Sequence, residues 1–239
     1  MPILEGQGVT KYFGGLAAVS NVDFYVDQGE IVGLIGPNGA GKTTLFDLIS
    51  AAQSPKRGVI KFKDENITGL KPNQICKKGL ARTFQSVKVF TNLPVIANVV
   101  LGAHFGTSKR ISSALATRQA MELLEFVGLS DVASTTTKDL TLGNQKLLEV
   151  ARALATRPDM LLLDELMAGL NPTEVAQAME LVARIHDKGI TIFMIEHVMK
   201  AIMNVCNRII VLNHGEKIAD GTPQEIATSK MVVEVYLGE

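Results

Sequence analysis

Three stretches of the chain are apolar without interruption, and each is short: EIVGLIG at 30–36, PDMLLLD at 158–164 and ITIFMIE at 190–196. Runs of this length with no polar alternation suit strands of a parallel sheet covered on both faces. Val22, Phe24 and Val26 behave differently. They alternate with Asp23, Tyr25 and Asp27, the period-two pattern of a half-exposed antiparallel strand. Between the second and third apolar runs, Val175, Met179, Val182 and Ile185 fall on one side of a helix predicted from about Pro172 to Asp187. Strand, helix, strand in that order predicts a right-handed crossover. RIIVLNHGEKIADG at 208–221 predicts a hairpin turning at Asn213-His214-Gly215. Residues 88–155 read as helices without strands. Among them, Leu147, Val150, Ala151 and Leu154 keep the spacing of a helix that packs on one face. The prediction is one domain over 1–239: an α/β core from 1–87 and 156–239, interrupted by a helical subdomain at 88–155.

A chain of 239 residues can bury a substantial core. Its 24 Lys and Arg balance 24 Asp and Glu, which gives no support to a nucleic-acid partner. Lys56-Arg57 and Lys77-Lys78 read as solvated faces. Cys76 and Cys206 are the only cysteines, with no paired spacing, as in a cytosolic protein with two free thiols. No signal peptide is evident in MPILEGQGVTKYF, and no apolar run reaches the roughly 20 residues needed to cross a bilayer. There is no internal repeat, low-complexity tract or long linker.

GPNGAGKTT follows the first apolar run and contains the pattern G-x-x-x-x-G-K-[ST] at Gly36, Gly41, Lys42 and Thr43. Gly39 and Gly41 permit backbone conformations that bring amides close to a ligand. Those amides and the following helix N-terminus attract phosphate. The nucleotide loop is therefore taken as Gly36, Asn38, Gly39, Ala40, Gly41, Lys42, Thr43 and Thr44. Lys42 would reach the β and γ phosphates, and Thr43 would offer a hydroxyl to Mg²⁺. A second acidic partner for the metal is expected at the end of a neighbouring strand, and Asp164 fits. Glu165 points the other way and is available to orient a water as general base. His197 follows ITIFMIE at the carboxyl end of a strand beside the nucleotide crevice, where a γ-phosphate contact is expected. His104, His186 and His214 have no comparable setting and read as structural. Gln85 ends LARTFQ; spacing alone gives a surface glutamine, and the other reading puts its amide near Mg²⁺ or the attacking water.

One helix begins oddly. Thr141 is a plausible N-cap, which leaves Leu142, Gly143 and Asn144 as the first turn. Glycine there costs about 1 kcal/mol relative to alanine. Close approach of a ligand to exposed amides would justify that cost. The phosphate loop, however, lies some hundred residues earlier, so the economical reading is that this end serves a nucleotide held by another copy. Taken alone, the segment reads as a fortuitous cap with a loosely packed glycine.

GPNGAGKTT, Gln85 in RTFQ, LTLGNQ, LLLDE, AGLNP and IEH occur in an order that resembles the ATP-binding-cassette ATPases, across essentially the whole chain. The resemblance implies a P-loop NTPase core with an antiparallel β subdomain and an inserted α-helical subdomain. Phe13 in KYFGG matches the aromatic that stacks on adenine. Finer features resemble the importer ATPases for branched-chain amino acids: RTFQ before VFTNLPVIANVVLGAH, GLNPTE, IEHVMK, and the end DGTPQEI…YLGE. Importers of urea, amides and aromatic acids are close relatives. The resemblance implies two cassettes meeting head to tail, identical or homologous. Thr141, Gly143 and Asn144 then contact the γ-phosphate of the partner's ATP, and Asn171 crosses the dimer axis. It also implies membrane permeases that receive the motion through the helical subdomain near Gln85. A periplasmic or surface solute-binding protein takes part indirectly, and the cassette sits at the cytoplasmic face of the membrane.

Two departures stand out. The family's Leu-Ser-Gly-Gly-Gln reads here as Leu140-Thr141-Leu142-Gly143-Asn144, one methylene short at its end. Glu165 is followed by Leu166 where proline is usual, and without proline's restriction to extended geometry Glu165 is expected to be less fixed. Hydrolysis is expected to be retained but slow. Two other functions compete: a non-transport cassette ATPase acting on DNA or the ribosome, and a P-loop kinase. The first usually carries fused cassettes, coiled-coil insertions or basic arms, and the second needs an acceptor pocket and lid.

Overall fold

The structure, a computed structural model, describes residues 1–106 and 111–237; the last two residues of the YLGE end fall outside it. The first half supplies β1 (Pro2–Phe13), β2 (Leu16–Asp27), β3 (Ile31–Ile35), α1 (Lys42–Ile49), β4 (Arg57–Phe62), β5 (Glu65–Asn66), α2 (Pro72–Lys77) and β6 (Leu80–Arg82). Helices follow: α3 (Val95–Phe105), α4 (Ser113–Val127) and α5 (Leu142–Ala155), with two short 3-10 turns before α5. The chain then alternates through β7 (Met160–Asp164), α6 (Pro172–Asp187), β8 (Thr191–Ile195) and α7 (Met199–Val205). It ends with β9 (Arg208–Asn213), β10 (Glu216–Gly221), α8 (Pro223–Thr228) and α9 (Lys230–Leu237).

The strands form two sheets. One is antiparallel, in the order β2-β1-β4-β5. The other runs β10-β9-β3-β8-β7-β6, parallel except for β10 against β9. The uninterrupted apolar runs are β3, β7 and β8, and the reason they lack polar positions is visible in the packing. Alternate residues of each strand enter different cores. Val32, Leu34, Met160, Leu162, Phe193 and Ile195 join α1 and the antiparallel sheet. Ile31, Ile35, Leu161, Leu163, Ile192 and Met194 join the helices α3 to α7 on the opposite face. On the first side Phe193 meets Phe46 of α1 at 5.1 Å and Phe24 of β2 at 6.3 Å between ring centroids. Each such fully buried side chain contributes roughly 1.5–3 kcal/mol.

The predicted crossover β7–α6–β8 is present, with β7 and β8 adjacent and parallel. The buried stripe of α6 is Ala178, Leu181, Val182 and Ile185, while Val175 and Met179 are only partly buried. The β9–β10 hairpin turns through His214 and Gly215 at φ 47° and 82°, the two positive values a tight hairpin demands. Among the described residues of 88–155 there are helices and no strand, apart from an isolated bridge between Pro94 and Thr136. One expectation changes, because α5 does not pack on a single face: Leu147 is partly buried, whereas Lys146, Leu148, Glu149, Val150, Ala151 and Leu154 are all buried. Gly102 lets α3 approach α5 closely, since a Cβ there would lie 2.5 Å from the Arg152 carbonyl oxygen.

Candidate functional site

Between the end of β3 and the start of α1, the backbone turns through glycines. Gly36 has φ 148° and a Cβ there would fall 2.1 Å from the Leu212 carbonyl oxygen; at Gly41, φ 101°, the clash is 2.2 Å from that of Ala18. No other residue fits either position. The loop is braced from behind, where the Gly215 N–H donates to the Ala40 carbonyl at 3.0 Å and the Ser20 N–H to that of Gly215 at 2.8 Å. The hairpin turn is thus a support for the loop, and His214, read from sequence as structural only, lines the cleft above it.

That cleft, about 320 Å³, is walled by Asn38, Gly39, Ala40, Gly41, Lys42, Thr43 and Thr44, and across from them by Gln85, Glu165 and His197. Lys42 is buried at 6% exposure and donates to the Gly36 carbonyl at 2.7 Å and that of Pro37 at 3.0 Å. Burial lowers its pKa, opposed by the charges of Glu165 and Asp164.

The two carboxylates come from the end of β7. That strand does not neighbour β3, because β8 lies between them. Asp164 is wholly buried: one carboxylate oxygen accepts from Arg82 Nη2 at 2.8 Å, and Oδ1 has no partner among the described residues. Burial raises its pKa, with Arg82 pulling the other way. Glu165 turns away from it. Its Oε2 accepts from Gln85 Nε2 at 3.0 Å, and its Oε1 lies 3.0 Å from His197 Nε2. Glu165 has φ 51°, so it is left-handed rather than extended, and it is firmly held where the missing proline suggested looseness. Its N–H donates to the Ile195 carbonyl at 2.9 Å and its own carbonyl accepts from Lys146 at 2.8 Å.

A family model described as ABC transporter matches residues 19–168. The chain belongs to the ABC transporter family. Over its whole length it is 39% identical to the high-affinity branched-chain amino acid transport ATP-binding protein BraF of Pseudomonas aeruginosa, covering 98% of that protein. The same values hold for LivG of Escherichia coli K12, which bears the same description. Among solved structures it resembles an ATP-binding cassette of an ABC transporter in its ADP conformation, at 30% identity, full coverage of both chains and TM-score 0.89. A dimeric cassette in a post-hydrolysis state with ADP and Pi is similar at 25% identity and TM-score 0.85, over 92% of this chain and 98% of that one. This cassette is accordingly an ATP-binding, ATP-hydrolysing transporter subunit.

Not every residue singled out in the cassette's sequence reaches the cleft. Phe13 ends β1 at 47% exposure, with Lys11 Nζ 5.4 Å from its ring centroid; it pairs across the turn with Leu16, which does line the cleft. Thr141 caps α5 as expected, accepting from the Asn144 N–H at 3.3 Å. Gly143 faces α6, and a Cβ on it would lie 3.1 Å from Glu174 Oε1. Asn171 caps α6, accepting from the N–H groups of Thr173 and Glu174 at 3.0 Å each. These two helix ends adjoin each other and lie outside the cleft.

Four charged residues of the cassette escaped sequence reasoning. Arg82, 5% exposed, ties Asp164 to Asp47, donating to the latter at 2.7 Å. Glu149 of α5 accepts from the N–H groups of Phe84 at 3.3 Å and Lys88 at 3.0 Å, pinning the segment that carries Gln85. Glu196 accepts from the Met167 N–H at 2.8 Å, and burial raises its pKa to about 7. Lys146 serves the turn after Glu165. The signal for all four was a charged residue inside or beside an apolar element. A larger cavity of about 770 Å³, mostly apolar, opens beside Arg82, Phe84, Phe90, Phe105, Glu149 and Arg152.

Proposed function

We propose that this cassette energises an importer of branched-chain amino acids or related small solutes, pairing with a second cassette, identical or homologous, and with integral membrane permeases. Full-length similarity to BraF and LivG supports the solute class. Among the described residues no helix is long and apolar enough to cross a membrane. In this reading the permease spans the membrane and the cassette docks on it from the cytoplasmic face. A solute-binding protein outside the membrane acts only indirectly.

In this reading Phe13 stacks on adenine, the loop Gly36–Thr44 wraps the phosphates and Lys42 reaches the β and γ groups. Thr43, Gln85 and Asp164 would hold Mg²⁺; they offer oxygen donors, which suit a hard cation, and Asp164 Oδ1 is buried without a partner. The ion would neutralise charge on the β and γ phosphates. Glu165 orients the attacking water and takes its proton, while Gln85 and His197 hold its carboxylate in place. Thr141, Gly143 and Asn144 complete the partner's site, with Asn171 at the dimer axis. The groove beside Phe84, next to Gln85, takes a cytoplasmic segment of the permease.

The observation that supports this reading is the end of α5, capped by the Thr141 hydroxyl and lying outside the cleft of its own chain. The test is Glu165→Gln with ATP and Mg²⁺. We expect turnover to fall by about 10²–10⁴-fold and the protein to form a stable pair of cassettes. Wild-type turnover in this variant, or a strictly single-chain state with every candidate cassette, would overturn the proposal.

A further inference from the structure

Lys146 lies in the second turn of α5, just beyond Asn144, and is buried at 7% exposure. Buried ammonium groups are normally paired with a carboxylate. This one, among the described residues, makes no ion pair; its Nζ donates to three backbone carbonyls, Glu165 at 2.8 Å, Leu166 at 3.0 Å and Ala168 at 2.6 Å. Burial lowers its pKa, and the charges of Glu196, Glu165 and Glu149 offset only part of that fall. All three donors of the ammonium are thus used, and all on one short turn.

That turn is the one that needs holding. Glu165 sits at φ 51°, a conformation uncommon for a residue with a side chain, and Leu166 brings no ring to restrict it. The Glu165 N–H is tied to β8 through Ile195, and its carbonyl is tied to α5 through Lys146. With the backbone fixed on both sides, the side chain reaches Gln85 and His197.

We propose that Lys146 is a positioning residue for hydrolysis: it holds the Glu165–Ala168 turn so that the Glu165 carboxylate faces the cleft, and it links that carboxylate to the end of α5 offered to the partner's nucleotide. This rests on the function proposed above.

The test compares wild type, Lys146→Met and Lys146→Arg in steady-state ATPase assays, with each lysine variant repeated in a Glu165→Gln background under single-turnover conditions. Methionine keeps the length and removes the donors. We expect kcat to fall about 30-fold or more with KM for ATP within about twofold, and arginine to restore most of it. In the Glu165→Gln background the same change should cost less than about threefold, because the two residues act as one unit. A folded Lys146→Met with kcat near wild type, or a loss undiminished in the Glu165→Gln background, overturns the inference. Should Lys146→Met fail to fold, Lys146→Gln carries the same comparison with two donors kept. A wild-type protein without ATPase activity sinks the proposed function and this inference with it, whereas an active wild type with an indifferent Lys146 sinks only the inference.

Discussion

Arg82→Met isolates the cost of leaving Asp164 unpaired. The guanidinium is 5% exposed; it meets Asp164 at 2.8 Å and Asp47 at 2.7 Å, and donates to Ser50 Oγ at 2.9 Å. Methionine retains most of the apolar stem, so packing changes little. Asp47, a quarter exposed, keeps access to water. Asp164 does not: its Oδ1 already lacks a partner, and the variant strips the other oxygen too. Removing one member of a buried pair costs about 3–5 kcal/mol. For a domain of this size, roughly 2–4 °C of Tm per kcal/mol gives a fall of about 6–20 °C. The pH dependence has a definite sign. Burial already holds the Asp164 pKa above its ordinary value, and without Arg82 it rises further. A raised folded pKa means stability that is present at low pH and lost as pH rises through it. The gap between variant and wild type should therefore narrow as the buffer is acidified. Thermal unfolding followed by circular dichroism, without nucleotide, reads both effects, and Asp164→Asn added to the variant should recover part of the loss. A fall below about 2 °C, or an equal penalty for Arg82→Met when Asp164 is already asparagine, would refute the reasoning.

Gly41→Ala forces a Cβ to 2.2 Å from the Ala18 carbonyl oxygen at φ 101°; strain of about 1–3 kcal/mol should lower Tm and weaken ATP binding at least tenfold, read with a fluorescent nucleotide. Unchanged binding would show that the loop does not need this geometry. Glu196 has its pKa raised to about 7 by burial, so its share of stability is present below about pH 4.5 and is lost as pH rises through about 7. Glu196→Gln should flatten the stability–pH curve across that window, and a curve of unchanged slope would rule out this carboxyl as its source.

How much was legible depends on how local each cause is. Strands β3, β7 and β8 could be read because two cores claim their alternate side chains, which leaves no polar position. Helix α6 could be read from its apolar spacing, which Val182 and Ile185 keep in the buried stripe, and its start is fixed by a capping box from Asn171 to Glu174. Strand β1 could not: Gly6 and Gly8 interrupt it, and its register with β2 shifts repeatedly, so alternation never builds up. The placement of β8 between β3 and β7 is a long-range choice with no local signature. The same division runs through the site. The nucleotide loop is one contiguous motif, whereas Gln85, Glu165 and His197 are ambiguous singly and acquire meaning from two 3.0 Å contacts across distant parts of the chain. Lys146 and Glu149 were hidden because a single-faced α5 would put them in water. The helix is instead packed on both sides, and both charges are spent on backbone groups of neighbouring loops.

The parallel sheet behaves as a bulkhead. Side chains of α3, α4 and α5 share a core with α6 and α7, while α1 and the antiparallel sheet fill the other compartment. A tilt of the three helices would therefore load one compartment first. The glycine loop is held in the other through Ala40, whereas the loops tied to α5 through Lys146 and Glu149 would follow the helix directly.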